Sequence, residues 1–491
     1  MRFRSRGTFR WALALLSIVL LALLLRQTAR AQDGAATGEW SRPLPVSGAI
    51  PGSWYPSVAA TDDGVLTVIW TSSQNNQDTI YLTQKDGVAW SRPIDVLIGG
   101  KHADLRVDGR RMLQLVYADT AKLFASDAPV QGATIAANWN QPFQLNREPA
   151  TPGDFLVTAE GNLHAVWAEK ATADKLAQVI YSQSNDPAAS WQEYHVIGEN
   201  AIENTRVRLA RGADGTLYAL WRAADRETKT DGIVVSMSSD NGNAWLDTPR
   251  ALALTDADIL QPAIAVDANN ALLLIYNFGV KDETFFQLST DQGVTWNEQK
   301  AIPGLYAANP ATGNDYFAVA KDSAGNIHLV AVGRQSKDQT APGVYHLVWD
   351  GTRWSAPQEL YREGTFIEFP DIQVSNGNQL HIVFSTRGRN QLSGEPDETS
   401  QIWYTGATTN APTETRVPLA TFTPHPTATP TPRATVEATR RPTSTRVPLD
   451  APTESPSETV NPFMPIAFAL VPVILLLIAV VILVRVLRVR R

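Results

Sequence analysis

The stretch SSDNGNAW, Ser238 to Trp245, returns as STDQGVTW at Ser289 to Trp296. A chain that writes Ser-x-Asp-x-Gly-x-x-Trp twice, fifty-one residues apart, is built on a period. Tryptophans mark it throughout: Trp40, Trp90, Trp139, Trp191, Trp245, Trp296 and Trp354 follow one another at gaps of 50, 49, 52, 54, 51 and 58. A second series runs out of phase with them. VLTVIW (65–70), MLQLVY (112–117), NLHAVW (162–167), TLYALW (216–221), ALLLIY (271–276), NIHLVA (326–331) and QLHIVF (379–384) read as short apolar strands, most of them after a turn such as DDG, AEG or ADG. A third series, TIYLT (79–83), VIYSQS (179–184), IVVSMS (233–238) and IWYT (402–405), is β-branched and aromatic, as strands prefer. Each period therefore holds about four strands and no helix.

Four short strands per repeat, seven times, is the pattern of an all-β, seven-bladed β-propeller, with six blades as the alternative count. The last repeat enters a proline-rich segment without its own tryptophan strand, while the N-terminus offers WSRPLPV (40–46) with no repeat before it. That phrase nearly copies WSRPIDV (90–96). The N-terminal strand is therefore expected to complete the final blade and close the ring, leaving no open edge.

The repeated octet resembles the Asp-box, or BNR repeat, of sialidase-like propellers. Ser238, Asp240, Gly242 and Trp245 form one full box, Ser289, Asp291, Gly293 and Trp296 a second, and Ser184, Asp186 and Trp191 a weaker third. The resemblance spans residues 32–406. It implies that the carboxylate accepts loop N–H groups, that glycine supplies a positive φ and that tryptophan packs between blades, on the face away from any ligand.

The flanks place this domain. Arg2, Arg4, Arg6 and Arg10, the apolar run Trp11 to Leu25 and Ala29-Arg30-Ala31 have the order of a secretory signal covering 1–31. Residues 407–461 hold 10 Pro and 15 Thr and are expected to form a disordered stalk. Within 462–484, Met464 to Val484 is uncharged and long enough for one transmembrane helix, and the basic tail 485–491 puts the C-terminus inside. The expected location is the cell membrane, single-pass, with the propeller outside. Of the 42 basic residues 6 lie in the signal and 4 in the tail, whereas all 49 acidic residues lie between, which leaves −17 on the exported part. That charge excludes nucleic acid as a partner. The chain has no cysteine, so neither disulfides nor thiolate metal sites are available. No phosphate loop, nucleophile elbow or HExxH appears, and no cofactor or metal is expected. His164, His328 and His381 share one repeat slot, which points to packing between blades.

With the boxes on one face, the starts of the innermost strands and the ends of the second strands meet on the other. The candidates for ligand binding there are Trp54, Tyr55, Asp104, Arg206, Arg222, Tyr316, Arg334 and Arg387, with His102 and Phe369 beside them at strand starts. The resemblance implies, for a sialidase, three arginines on a sugar carboxylate, a Tyr–Glu nucleophile and an aspartic acid/base. The first of those arginines belongs to an Arg-Ile-Pro phrase; the matching phrase here is Trp54-Tyr55-Pro56, which keeps the proline and lacks the arginine. The function expected is accordingly binding of an extracellular glycan or glycoprotein by a monomer. The alternative is an exo-acting glycoside hydrolase of sialidase type with a diverged site, for which Tyr316, Arg206 and Arg334 are the catalytic candidates.

Overall fold

A computed structural model describes residues 38–414, apart from 75–76, 159–160, 173, 187–189, 201–202, 226–229, 254–258, 279–280, 309–316, 364–365 and 388–398. The expected signal, nearly all of the stalk, the apolar stretch Met464 to Val484 and the candidate Tyr316 lie outside the described residues. Among the described residues no helix is long and apolar enough to cross a membrane, and the helical content is one 3₁₀ turn, Ala136–Asn138.

The architecture is all-β, a succession of antiparallel meanders. Lys101–Val107, Met112–Asp119, Lys122–Pro129 and Phe143–Gln144 pair in sequence order, and so do Ala150–Val157, Leu163–Glu169, Ala177–Ser184 and His195–Asn200. Glu203–Arg211, Leu217–Asp225, Thr230–Ser238 and Arg250–Ala253 repeat the arrangement. One sheet has eight strands because Lys300–Ala307 reaches across to Ile327–Arg334 and joins two successive meanders. The second strand of each meander is covered on both faces, which is why it reads as a continuous apolar run instead of alternating; Leu163–Glu169 and Leu272–Phe278 are buried at every position.

The two ends of the described part meet in one sheet. Leu44 and Pro45 pair with Tyr404 and Trp403, and Gly38, Ser41 and Val46 donate backbone N–H groups to Thr408, Gly406 and Ile402 at 2.7, 2.9 and 2.8 Å. The last strand, Gln401–Thr408, runs two residues beyond the boundary expected at Gly406. The chain is then held to Glu414, whose N–H donates to Asn376 O at 2.8 Å.

The tryptophan period has a packing meaning. Each outer tryptophan reaches back onto the third strand of the meander before it: Trp90 meets Tyr404 at 5.2 Å, Trp245 meets Tyr181 at 4.8 Å, and Trp354 meets Phe286 at 6.0 Å between ring centroids. Trp40 meets His346 at 5.0 Å, and its indole N–H donates to Gln358 Oε1 at 2.9 Å. The turns that carry Trp245 and Trp296 are stapled identically. Ser238 Oγ accepts the Gly242 N–H at 2.8 Å and donates to Asp240 Oδ1, which also accepts the Ala244 N–H at 2.9 Å; Ser289, Asp291, Gly293 and Thr295 repeat these bonds at 2.7 to 2.8 Å. Gly242 is at φ 89° and a Cβ there would lie 1.7 Å from the Tyr181 hydroxyl, so both conformation and space demand glycine. In the third octet, Ser184 Oγ accepts the Asp186 N–H at 2.9 Å.

The shared histidine slot is buried between strands. His164 Nδ1 bonds the Tyr181 hydroxyl at 2.6 Å, His381 Nδ1 bonds the Tyr404 hydroxyl at 3.0 Å, and His328 links His346 at 3.0 Å to Asp322 at 3.2 Å.

Candidate functional site

The innermost strands share a local irregularity. Register slips between Trp54 and Ser57, Lys101 and Asp104, Thr151 and Asp154, Thr205 and Arg208, Leu260 and Ala263, and Glu368 and Asp371. In each case two residues of the strand oppose one of its partner, a bulge of one extra residue. Where the first of the two is Tyr55, His102, Arg206 or Phe369, its backbone lies at φ 49° to 56°, a strained region for a side-chain-bearing residue. Where it is Pro152, Gly153 follows, and a Cβ on Gly153 would lie 2.0 Å from Val166 O.

These bulges turn side chains toward a cavity of about 930 Å³, lined by residues from the innermost strand of every meander. At the bulge end of the cavity Tyr55 lies between His102 and Phe369, with ring centroids 3.9 and 4.0 Å away. Trp54 backs this lip, 4.4 Å from Tyr55, its indole N–H donating to Ser73 Oγ at 2.9 Å.

Directly after the bulges the next residue of four of these strands, Ser57, Asp104, Asp154 and Asp371, links one meander to its neighbour. Asp371 accepts from Ser57 Oγ at 2.8 Å and from the Val58 N–H at 3.0 Å; Ser57 Oγ in turn accepts the Leu105 N–H at 3.1 Å and bonds Asp104 Oδ1 at 3.0 Å; Asp154 accepts the Leu209 N–H at 3.0 Å. Arg106 donates to Asp104, lies 3.6 Å from Asp371 and stacks over Phe155 at 5.6 Å. Burial works against the Arg106 charge, but Asp104 and Asp371 hold the guanidinium more firmly protonated than usual. Burial, together with the nearby carboxylates Asp371 and Asp154, pushes the Asp104 carboxyl up to about 7 against the pull of Arg106.

The cavity is lopsided in charge. Carboxylates come from strands Lys101–Val107, Ala150–Val157 and Phe366–Ser375. Across from the aromatic lip, Arg206, Arg208 and Arg211 of one strand and Arg222 of its partner all line the wall.

The candidates read from the sequence thus separate. Tyr55, Asp104, Arg206 and Arg222 converge on the cavity, with Trp54 behind them. Arg334 is spent elsewhere, donating to Asp282 Oδ1 at 2.8 Å, Ala307 O at 2.8 Å and Lys337 O at 3.1 Å. Arg387 pairs with Glu368 Oε1 at 2.7 Å and lies over Phe366. Arg106, Asp154, Asp371 and Arg208 were missed by the sequence reading. For Asp154 and Asp371 the signal is the proline just ahead of the slot, Pro152 or Pro370, as Pro56 precedes Ser57, since proline inside a strand implies a bulge; Arg106 and Arg208 carry no such mark. Among the described residues no group of three His, Asp or Glu is placed to hold a metal ion.

The chain matches no protein-family model and no curated protein. Among solved structures it superimposes on an ulvan lyase, a polysaccharide lyase bound to -[GlcA(1-4)Rha3S]-, with a TM-score of 0.51 at 10% identity over 77% of this chain and 96% of that one. It is also similar to a protein of unknown function from Dyadobacter fermentans (TM-score 0.48, 11% identity, 76% and 100% covered). A Hadza microbial sialidase gives a TM-score of 0.41 at 14% identity, with 72% of this chain and 65% of that one covered. The likeness to the lyase shows the fold: a propeller-like, all-β architecture.

Proposed function

We propose that the protein is a membrane-anchored, cell-surface propeller of seven blades, closed by its N-terminal strand, that binds an anionic extracellular glycan in its central cavity. The observation that carries this reading is the arginine wall of Arg206, Arg208, Arg211 and Arg222 facing an aromatic lip across about 930 Å³. Guanidinium groups suit carboxylate or sulfate, and rings such as Tyr55 and Phe369 suit the apolar faces of sugars. The ulvan lyase, whose bound unit carries both a uronate and a sulfate, supports the same class.

A second reading has one observation in its favour. Asp104, its carboxyl pushed up to about 7 by burial and by Asp371 and Asp154 nearby, has the environment of a general acid. The two readings are separated by one preparation of the full chain in detergent, assayed on an array of neutral, uronate-bearing and sulfated glycans and on fluorogenic glycosides. Retention of acidic glycans without turnover, lost in Arg206→Ala, is the expected result. Turnover abolished by Asp104→Asn establishes the hydrolase instead, and failure to retain any acidic glycan refutes the binding reading.

A further inference from the structure

The bulge positions that face the cavity are of two kinds. Strands Ser53–Ala60, Lys101–Val107 and Phe366–Ser375 place Tyr55, His102 and Phe369 there, and Tyr55 touches both of the other rings. All three residues are half-buried, line the cavity and hold a positive φ. That backbone is costly for a side-chain-bearing residue, and here it is adopted on three strands whose rings come together. Trp54 extends the surface, its ring 6.4 Å from Phe369 and edge-on to it. The result is a continuous, part-exposed aromatic face on one side of the cavity.

Two residues further on, at most about 7 Å along each strand, the same three strands carry Ser57, Asp104 and Asp371. Arg106 is already shared between the two carboxylates, donating to Asp104 and lying 3.6 Å from Asp371. Ser57 Oγ bonds both of them. An anion resting on the rings would therefore face carboxylates whose counter-charge is spent, and a cation would be set against Arg106. An uncharged sugar meets neither objection, and its face of C–H groups packs on aromatic rings. In strand Glu203–Arg211 the same two positions, fixed by the same slip of register, hold Arg206 and Arg208. Ring and carboxylate on three strands are thus replaced by two arginines on a fourth, and all four strands line one cavity.

We propose that Tyr55, His102 and Phe369 form a stacking subsite for an uncharged sugar, and that the ligand is a mixed glycan in which this sugar adjoins the acidic one, not a run of acidic sugars. The acidic sugar at Arg206 and Arg208 rests on the glycan-binding reading given above, whereas the stacking subsite rests on the rings and the carboxylates beside them.

Two measurements on the full chain in detergent separate these parts. Calorimetry compares free glucuronate, digalacturonate, and glucuronate joined to a neutral galactose. The mixed disaccharide is expected to bind several-fold more tightly than free glucuronate and than digalacturonate. That gain, taken as a ratio within each variant, is expected to vanish in Phe369→Ala and to persist in Phe369→Tyr, which keeps a ring. Equal binding of the two disaccharides overturns the inference, and so does a gain that survives Phe369→Ala. Saturation-transfer NMR with methyl β-galactoside then reads the stacking subsite without any acid. Transfer to the C–H protons of the sugar ring is expected in the wild type and weakened in Phe369→Ala; no transfer in the wild type overturns the subsite. Transfer to the galactoside with no acidic sugar bound refutes the anionic-glycan reading and the mixed ligand with it, while the subsite stands. Binding of free glucuronate with no gain from the attached galactose leaves that reading and sinks the inference.

Discussion

The carboxylate of Asp371 accepts the backbone N–H of Val58 at 3.0 Å, joining residues 313 positions apart in the chain. It also takes the Ser57 hydroxyl at 2.8 Å and faces Arg106 at 3.6 Å. This one side chain therefore links the last innermost strand, Phe366–Ser375, to the first, Ser53–Ala60, beside the charged cluster of the cavity.

Replacing Asp371 by alanine leaves the Val58 N–H without its acceptor in a largely buried setting, while the Ser57 hydroxyl keeps Asp104. The expected loss is about 1–3 kcal/mol, visible as a lower midpoint of denaturant unfolding with an unchanged slope. An unaltered midpoint would show that this seam does not contribute to stability.

Removal of residues 32–46 strips the partner from strand Gln401–Thr408 and uncovers the Tyr404 and His346 rings now packed under Val46 and Trp40. The whole folded part is expected to lose stability in one cooperative step. Calorimetry showing an unshifted melt would mean that the N-terminal segment is dispensable.

Ser238→Ala orphans the buried Gly242 N–H and should cost about 1 kcal/mol. Because that turn lies at the end of its sheet opposite the bulges, retention of acidic glycans should be unchanged. A variant that binds poorly while melting normally would contradict this placement.

Acidification should weaken the fold in a defined window. Burial lowers the His381 pKa to about 4 and holds His346 well below its ordinary value, aided by His328. Below about 6.5 the unfolded chain takes up these protons and the folded chain does not, so the stability they provide is lost as pH falls from about 6.5 toward 4. Asp104 works in the opposite sense: its carboxyl is protonated in the folded chain up to about 7 and ionised in the unfolded chain above about 4, so its contribution declines as pH rises between those values. Stability measured against pH in His381→Gln should show a flatter acid limb, and in Asp104→Asn a flatter neutral limb. If both variants trace the wild-type profile, neither group is linked to folding.

Arg206→Ala should weaken binding of an acidic glycan on the order of tenfold or more, with little change in melting temperature. Arg334→Ala, which removes bonds to Asp282 and Ala307, should do the reverse. Direct titration and thermal melts of both variants check the pair, and exchanged effects would reverse the assignment of the two arginines.

The period and its strands were legible because every meander reuses one economical solution, an apolar strand covered on both faces and a tryptophan folded back on its neighbour. Trp90 on Tyr404 and Trp245 on Tyr181 follow the same rule at distant points of the chain. The candidate site was legible only in part. Repeat position fixes where a backbone goes, and Tyr55, Asp104, Arg206 and Arg222 line one cavity. It does not fix where a long side chain turns: Arg222, Arg334 and Arg387 sit near the same end of equivalent strands, yet Arg334 finds Asp282 and Arg387 finds Glu368. The cluster of Asp104, Arg106, Asp154 and Asp371 was hidden for another reason. Asp104, Asp154 and Asp371 occupy one slot, filled in other repeats by serine, arginine or alanine, with Arg106 two residues beyond it, and that slot can be aligned only when the bulge before it is counted.

The route by which the chain leaves the folded part carries a mechanical consequence. Strand Gln401–Thr408 starts at the bulge end and ends at the turns, with Gln379–Arg387 bonded along one edge and residues 38–46 along the other. A pull applied through Glu414 while a ligand is gripped at the bulge end would act along this strand. Its ladder bonds lie across the direction of force and would be strained together in shear, instead of being unzipped one after another. Traction would thus fall on the strongest axis available to a sheet.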